Sequence, residues 1–176
     1  GVVSTNEPFY RLRNQGMILG MSYRNSKGKL IASDLVEERD GKYIDTETWE
    51  ELEKIPAKMS KSLKNLINPD DITREYGADT LRMYEMYMAD FKDAAPWDTR
   101  SIVGVKRFLD KVYNLFIEGK GKQADSDDEA MKTLHKAIKK IGEDIESYKF
   151  NTAIAQMMIC MNVWEPKDVQ KNNEWR

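Results

Sequence analysis

The spacing of apolar residues divides the chain into a first stretch of short, strand-like runs and a second stretch of longer helical ones. Gln15-Gly16-Met17-Ile18-Leu19-Gly20-Met21-Ser22-Tyr23 is short, apolar and bounded by turn residues, which predicts a buried strand. Asn25 to Lys29 reads as a turn, Leu30 to Arg39 as a second strand, Asp40-Gly41 as a tight hairpin turn and Lys42 to Asp45 as a short return. Glu7 to Arg13 is expected to form a short helix. Thr46 to Lys54 is expected as one or two helical turns, with Trp49 and Leu52 on one side.

From Asn68 the period changes. Asn68 suits an N-cap, Pro69 the first helical position, Asp70 and Asp71 the positive end of the helix dipole, and Gly77 a stop. Ala78 to Asp90 follows as a helix apolar nearly all round, so it is expected to be buried against several neighbours. Phe91 to Thr99, with Pro96-Trp97, reads as a connector and domain boundary. Trp97 is expected to anchor a contact between the two parts rather than stack on a base. Ser101 to Glu118 carries a helical stripe of Val105, Phe108, Leu109, Val112, Leu115 and Phe116, and Gly119 to Gln123 breaks it. A further helix shows Met131, Leu134, Ile138, Ile141, Ile145 and Tyr148, and Phe150 to Val163 supplies the next, followed by a polar tail from Glu165 that reads as frayed or cut short. Three antiparallel helices with short loops predict a bundle. The expected fold is α+β, mainly α: a mixed piece over 1–95, containing a β-hairpin at about 21–55, and a helical piece over 96–176.

At 176 residues with 33% charged and 40% hydrophobic positions, the sequence suits folded domains with much solvated helix surface. A net charge of −2 excludes a polycation that coats nucleic acid indiscriminately, so any RNA contact must be local. The candidate is Arg100, Lys106, Arg107, Lys111, Lys120 and Lys122 against only Asp110 and Glu118; a solvated helix face is the plainer reading of the same stretch. Lys132, Lys136, Lys139 and Lys140 form a second basic face open to both readings. The single cysteine, Cys160, excludes an intrachain disulfide and a Cys-rich zinc site, and a lone thiol suits a reducing, cytoplasmic setting. No apolar run approaches the roughly 20 residues that span a bilayer. His135, the one histidine, reads as a helix-surface residue, and Met157, Met158 and Met161 as adaptable packing.

Chemistry concentrates in Lys58-Met59-Ser60-Lys61-Ser62, preceded by Pro56. Two ammonium groups neutralise phosphate charge, while hydroxyls and backbone N–H groups bond phosphate oxygens. A mobile loop can close over such a ligand. The loop holds no nucleophile or base, and as composition alone it is an ordinary solvated linker.

These five residues are identical to the KMSKS motif of class I aminoacyl-tRNA synthetases and stand before a helix start, as that motif does. Gln15-Gly16-Met17, Pro69-Asp70, Tyr76-Gly77-Ala78-Asp79-Thr80, Gly104-Val105 with Arg107-Phe108-Leu109, His135-Lys136, and Phe150-Asn151-Thr152-Ala153-Ile154-Ala155 resemble, in this order, leucyl-tRNA synthetase of the bacterial type. The resemblance implies a fragment: the C-terminal edge of a Rossmann-like catalytic domain with a hairpin insertion, then the first helices of an anticodon-binding-type domain. It implies a monomeric parent that activates leucine with ATP and Mg2+ to leucyl-adenylate and pyrophosphate and transfers leucine to its partner tRNA(Leu). Lys61 would steady the phosphates as pyrophosphate leaves, Lys58 would assist, Met59 would border the adenine through its backbone, and Ser60 and Ser62 would complete the ATP-binding loop. Two departures stand out. The family usually continues the motif with Lys-Gly-Asn, where this chain has Leu63-Lys64-Asn65, and the His-Ile-Gly-His-type motif is missing. The isolated fragment is therefore expected to be inactive. A stand-alone RNA-binding helical module is the alternative.

Overall fold

The structure, a computed structural model, describes residues 2–117 and 128–164. β1 (Ile18–Arg24) and β5 (Glu51–Lys58) form the central antiparallel pair, in register from Leu19 opposite Lys58 to Arg24 opposite Glu53. β2 (Leu30–Ile31) flanks β1, while β4 (Lys42–Asp45) and β3 (Val36–Arg39) continue beyond β5, giving the order β2-β1-β5-β4-β3. β6 (Ala95–Pro96) adds a parallel pairing to the start of β1, with Ile18 opposite Ala95. Among the described residues five α-helices follow or flank the sheet: α1 (Pro69–Tyr76), α2 (Ala78–Tyr87), α3 (Thr99–Val112), α4 (Asp128–Glu146) and α5 (Phe150–Trp164). The fold is thus a mixed α/β arrangement of an antiparallel sheet and five helices.

The local signals for α1 hold. Asn68 accepts from the Asp70 N–H at 3.1 Å, Pro69 opens the helix, and the Gly77 N–H closes it on the Thr73 carbonyl at 2.9 Å. The hairpin turn holds as well, since Asp40 and Gly41 have φ of 50° and 77°, the paired left-handed conformation that matches strand twist.

Three expectations fail. Glu7 to Arg13 has no regular secondary structure: a single turn or two cannot nucleate alone, and Phe9, Tyr10 and Leu12 remain exposed without a surface to bury against. Leu30 to Arg39 is interrupted by a 3-10 turn over Ser33–Leu35. Thr46 to Lys54 is a turn followed by β5 rather than a helix. There the Asp45 carboxylate accepts from the Glu47 N–H and the Thr48 hydroxyl, both at 2.9 Å, and Trp49 sits at φ 61°, outside helical space. Strand pairing to β1 and β4 then outweighs weak helical propensity. Pro56 is tolerated because, among the described residues, β5 pairs there with β1 alone, the β4 pairing being confined to Glu51 and Leu52.

One hydrophobic cluster joins Ile72 of α1, Leu81 and Tyr84 of α2, Trp97, and Ile102 and Val105 of α3. Trp97 is an anchor. Its ring meets Tyr84 edge-on at 5.0 Å, its Nε1–H donates to the Thr99 hydroxyl, and its backbone N–H donates to the Leu19 carbonyl of β1, both at 2.8 Å. α2 is less enclosed than its composition suggests, with Met86 45% exposed. α3 continues as a π-helical turn over Tyr113–Ile117. Glu118 to Gln123 and the tail from Glu165 lie outside the described residues.

α4 packs along α5 through Ala130, Leu134, Ala137 and Cys160. The expected stripe is therefore only partly realised: Met131, Leu134 and Ile141 belong to the contact, but Ile138 and Ile145 are exposed. Alanines allow the close approach, and Asp144 is drawn inward by the Lys140 ammonium at 2.5 Å and the Thr152 hydroxyl at 2.7 Å. At the α4–α5 corner Tyr148 contacts Phe91 and Phe150, and Arg13 lies 4.2 Å over its ring, strapping the N-terminal segment to the helices.

Candidate nucleotide-binding loop

β5 delivers Lys58 at its last position, and Lys61 to Lys64 form a turn before α1. Met59 is half-buried and packs against the cluster around Tyr84 and Trp97, so a hydrophobic side chain roots the loop in the core. The Ser60 and Ser62 hydroxyls share a hydrogen bond at 3.1 Å, and the Leu63 N–H donates to Ser60 Oγ at 3.2 Å. The Lys64 N–H closes the turn on the Lys61 carbonyl at 3.3 Å.

Asn65, which sequence reading mentioned only as part of a departure from the motif, organises this loop. It is buried at 6% exposure. Its Oδ1 accepts from the Ser60 N–H at 2.8 Å, and its Nδ2 donates to Ser22 Oγ at 2.8 Å and to the Lys58 carbonyl at 3.3 Å. One amide thus binds both sides of Met59 and fastens them to β1. Gly20 makes the approach possible: a Cβ there would stand 2.3 Å from the Asn65 carbonyl oxygen. Asn65 lies close to the motif in sequence, but Ser22 and Gly20, which it meets, are remote.

The lysines divide into two kinds. Lys54 donates to the Tyr43 hydroxyl at 3.1 Å, which raises the pKa of its ammonium, and Lys64 pairs with Asp34. Lys58 and Lys61 are exposed, and among the described residues their ammonium groups have no hydrogen-bond or ion-pair partner. The structure therefore brings Ser60 and Ser62 together, anchors Met59, and leaves the two motif ammonium groups available to an anion.

The basic stretch on α3 is partly neutralised. Arg100 pairs with Asp98 at 3.1 Å, Lys106 pairs with Asp110, and Lys111 donates to Asn162 at 3.3 Å. Arg107 is exposed and shares a groove with Tyr76, Tyr87 and Arg100. Lys120 and Lys122 lie outside the described residues. On α4, Lys140 is committed to Asp144 and Lys139 lies 3.9 Å from Glu143, while His135 is exposed.

Residues 53–98, which take in most of β5, the loop, α1, α2 and β6, match the family model of class I tRNA synthetases (I, L, M and V). The match takes in the Lys-Met-Ser-Lys-Ser loop and the elements that hold it. Over 95% of its length the chain is also similar to a solved LeuRS, agnB2 of Agrobacterium radiobacter K84, captured in a ternary complex with tRNA and LeuAMS, at 25% identity and a TM-score of 0.62. The chain spans 19% of that protein's length. The resemblance to a piece of leucyl-tRNA synthetase, read from the motif and its flanks, is thereby shown.

Proposed function

We infer that the chain is part of a leucine–tRNA ligase and supplies the Lys-Met-Ser-Lys-Ser half of its ATP site. The observation that carries this reading is the pair of unpartnered ammonium groups, Lys58 and Lys61, on a backbone held by Asn65 and Met59. In the reaction, the leucine carboxylate attacks the α-phosphorus of ATP, the bond to the bridging oxygen breaks, and pyrophosphate departs carrying the electron pair. Lys61 stabilises the charge that accumulates on the departing phosphates, with Lys58 assisting. Ser60, Ser62 and the free backbone N–H groups orient phosphate oxygens, and the Met59 backbone borders the adenine. The remaining half of the site, and transfer of leucine to tRNA(Leu), belong to the larger protein.

Mg2+ bound with ATP would neutralise further phosphate charge. Among the described residues no group of three or more His, Cys, Asp or Glu side chains is placed to hold a metal.

The parallel pairing of β6 with β1 supports assigning 1–95 to the edge of a Rossmann-like catalytic domain. The helical part over 96–176 is proposed as the start of the anticodon-binding-type domain. The groove of Tyr76, Tyr87, Arg100 and Arg107 supports a tRNA contact there, because it joins aromatic faces to guanidinium groups.

ATP–pyrophosphate exchange by the full-length protein, run across the aliphatic amino acids, tests the reading. Leucine alone should support exchange, and Lys61→Ala should lower it by about 10²-fold or more. Exchange with a different amino acid would refute the leucine assignment, and an unaffected variant would refute the role of the loop.

A further inference from the structure

The loop is held from outside its own motif. The Leu63 carbonyl accepts from both the backbone N–H and the hydroxyl of Ser33, at 3.0 and 3.2 Å, and the Lys64 ammonium pairs with Asp34. Ser33 and Asp34 lie on the 3-10 turn that interrupts the hairpin insertion. That turn is hydrogen-bonded into the insertion: the Leu35 N–H donates to the Ala32 carbonyl at 3.0 Å, the Leu35 carbonyl accepts from the Thr46 N–H at 2.9 Å, and neighbouring Ile31 is buried. On its other side the loop ends in Asn65, fixed to β1.

Leu63 and Lys64 therefore bridge two firm supports. Lys64 occupies the position where the resembled family usually has glycine, and it holds the left-handed conformation, with φ of 49°, that glycine adopts without cost. A lysine there gives up glycine's freedom but adds a cation that reaches the insertion. The pair is 59% and 45% exposed, which makes it breakable in water rather than a permanent weld.

We propose that Lys64 and Asp34, with Ser33 on Leu63, form a latch coupling the hairpin insertion to the Lys-Met-Ser-Lys-Ser loop, and that Lys64 is a positioning residue for ATP. This rests on the reading of the loop as an ATP loop. Lys64 acts through the loop's conformation and not by touching phosphate, because its ammonium is already engaged. Movement of the loop over the phosphates must carry the 3-10 turn with it or break the latch. An untethered loop must instead be ordered at the moment of binding, and that ordering weakens ATP affinity.

The test uses the full-length protein in ATP–pyrophosphate exchange, with Asp34→Ala, Lys64→Ala, both together, the charge swap Asp34→Lys with Lys64→Asp, and Lys61→Ala as the reference. Hydrogen exchange over 59–65 and 30–45 is measured on the same proteins. Each single latch variant should raise KM for ATP about two- to fivefold with a smaller change in kcat. The double variant should be no worse than either single one, and the swap should restore KM; a defect of folding alone would not be rescued in this way. Hydrogen exchange should quicken in both segments when either partner is removed. Additive effects, or unchanged KM and exchange in the latch variants while Lys61→Ala abolishes activity, would overturn the latch and leave the ATP reading standing. Coupled quickening of both segments with an unaffected Lys61→Ala variant would support the latch and overturn the ATP reading instead.

Discussion

Replacing Asn65 by alanine removes the one side chain that joins the two sides of Met59 to β1. Three hydrogen bonds disappear, to the Ser60 N–H, Ser22 Oγ and the Lys58 carbonyl. A typical hydrogen bond contributes about 1 kcal/mol net, and a buried group left without a partner costs about 1–3 kcal/mol. The Ser22 hydroxyl, in a residue 1% exposed, is the group left in that position, whereas the Ser60 N–H and Lys58 carbonyl lie nearer solvent and can recruit water. The expected loss is therefore about 2–4 kcal/mol, most of it from Ser22 and the severed loop ends. Denaturant unfolding with an unchanged slope would read the global part, and hydrogen exchange at the Ser60 amide would read the local part. Asn65→Asp should fall between wild type and alanine. Its carboxylate still accepts from the Ser60 N–H, and the bond to Ser22 reverses so that the hydroxyl donates, but it faces the Lys58 carbonyl without a proton to donate. An alanine variant within about 0.5 kcal/mol of wild type by both measurements would refute the idea that this amide organises the loop.

Gly20→Ala should displace the loop without altering any motif residue, because the added Cβ collides with the Asn65 carbonyl at 2.3 Å; faster exchange over 59–65 checks it, and an unchanged loop would contradict the packing. Asp144 has its pKa held below the ordinary 3.8 by the Lys140 ammonium first and the Thr152 hydroxyl second. Its folded value is depressed, so its stabilisation is present above that ordinary value and is lost as pH falls through the folded one. Asp144→Asn should flatten the acid limb of the stability curve in a pH titration of thermal unfolding. Burial pushes the Cys160 thiol above its usual 9.0, so a thiol reagent at neutral pH should modify it only as the protein unfolds; rapid reaction of the native chain would place Cys160 at the surface.

Legibility followed the range of each physical cause. The apolar run around Leu19 was readable as a strand but not in its burial, since Gly20 and Ser22 are the buried positions while Met17 and Ile18 are exposed. The α4 stripe was readable in period but not in phase: Ala130 and Ala137 face α5 while Ile138 and Ile145 face water, the reverse of what hydrophobicity alone ranks. Close helix approach favours small residues at the contact, and the Asp144–Thr152 bond fixes the rotation; neither is visible until α5 is in place. The candidate site divides in the same manner. Lys58, Met59, Ser60, Lys61 and Ser62 were legible as a motif, yet their availability was not, since Lys54 and Lys64 are equally charged on paper and are occupied in the fold.

Some features are determined by the sequence alone: the α1 boundaries through Asn68, Pro69 and Gly77, the turn at Asp40-Gly41, and the order of residues in the loop. Each depends on groups within a few positions of one another, where propensity and capping act directly. Tertiary structure decided that Glu51–Lys58 is a strand, that Asn65 is the loop's fastening, and that Lys64 reaches Asp34 while Lys61 stays free. Those outcomes depend on partners tens of positions away, and only the folded chain brings them within hydrogen-bond distance.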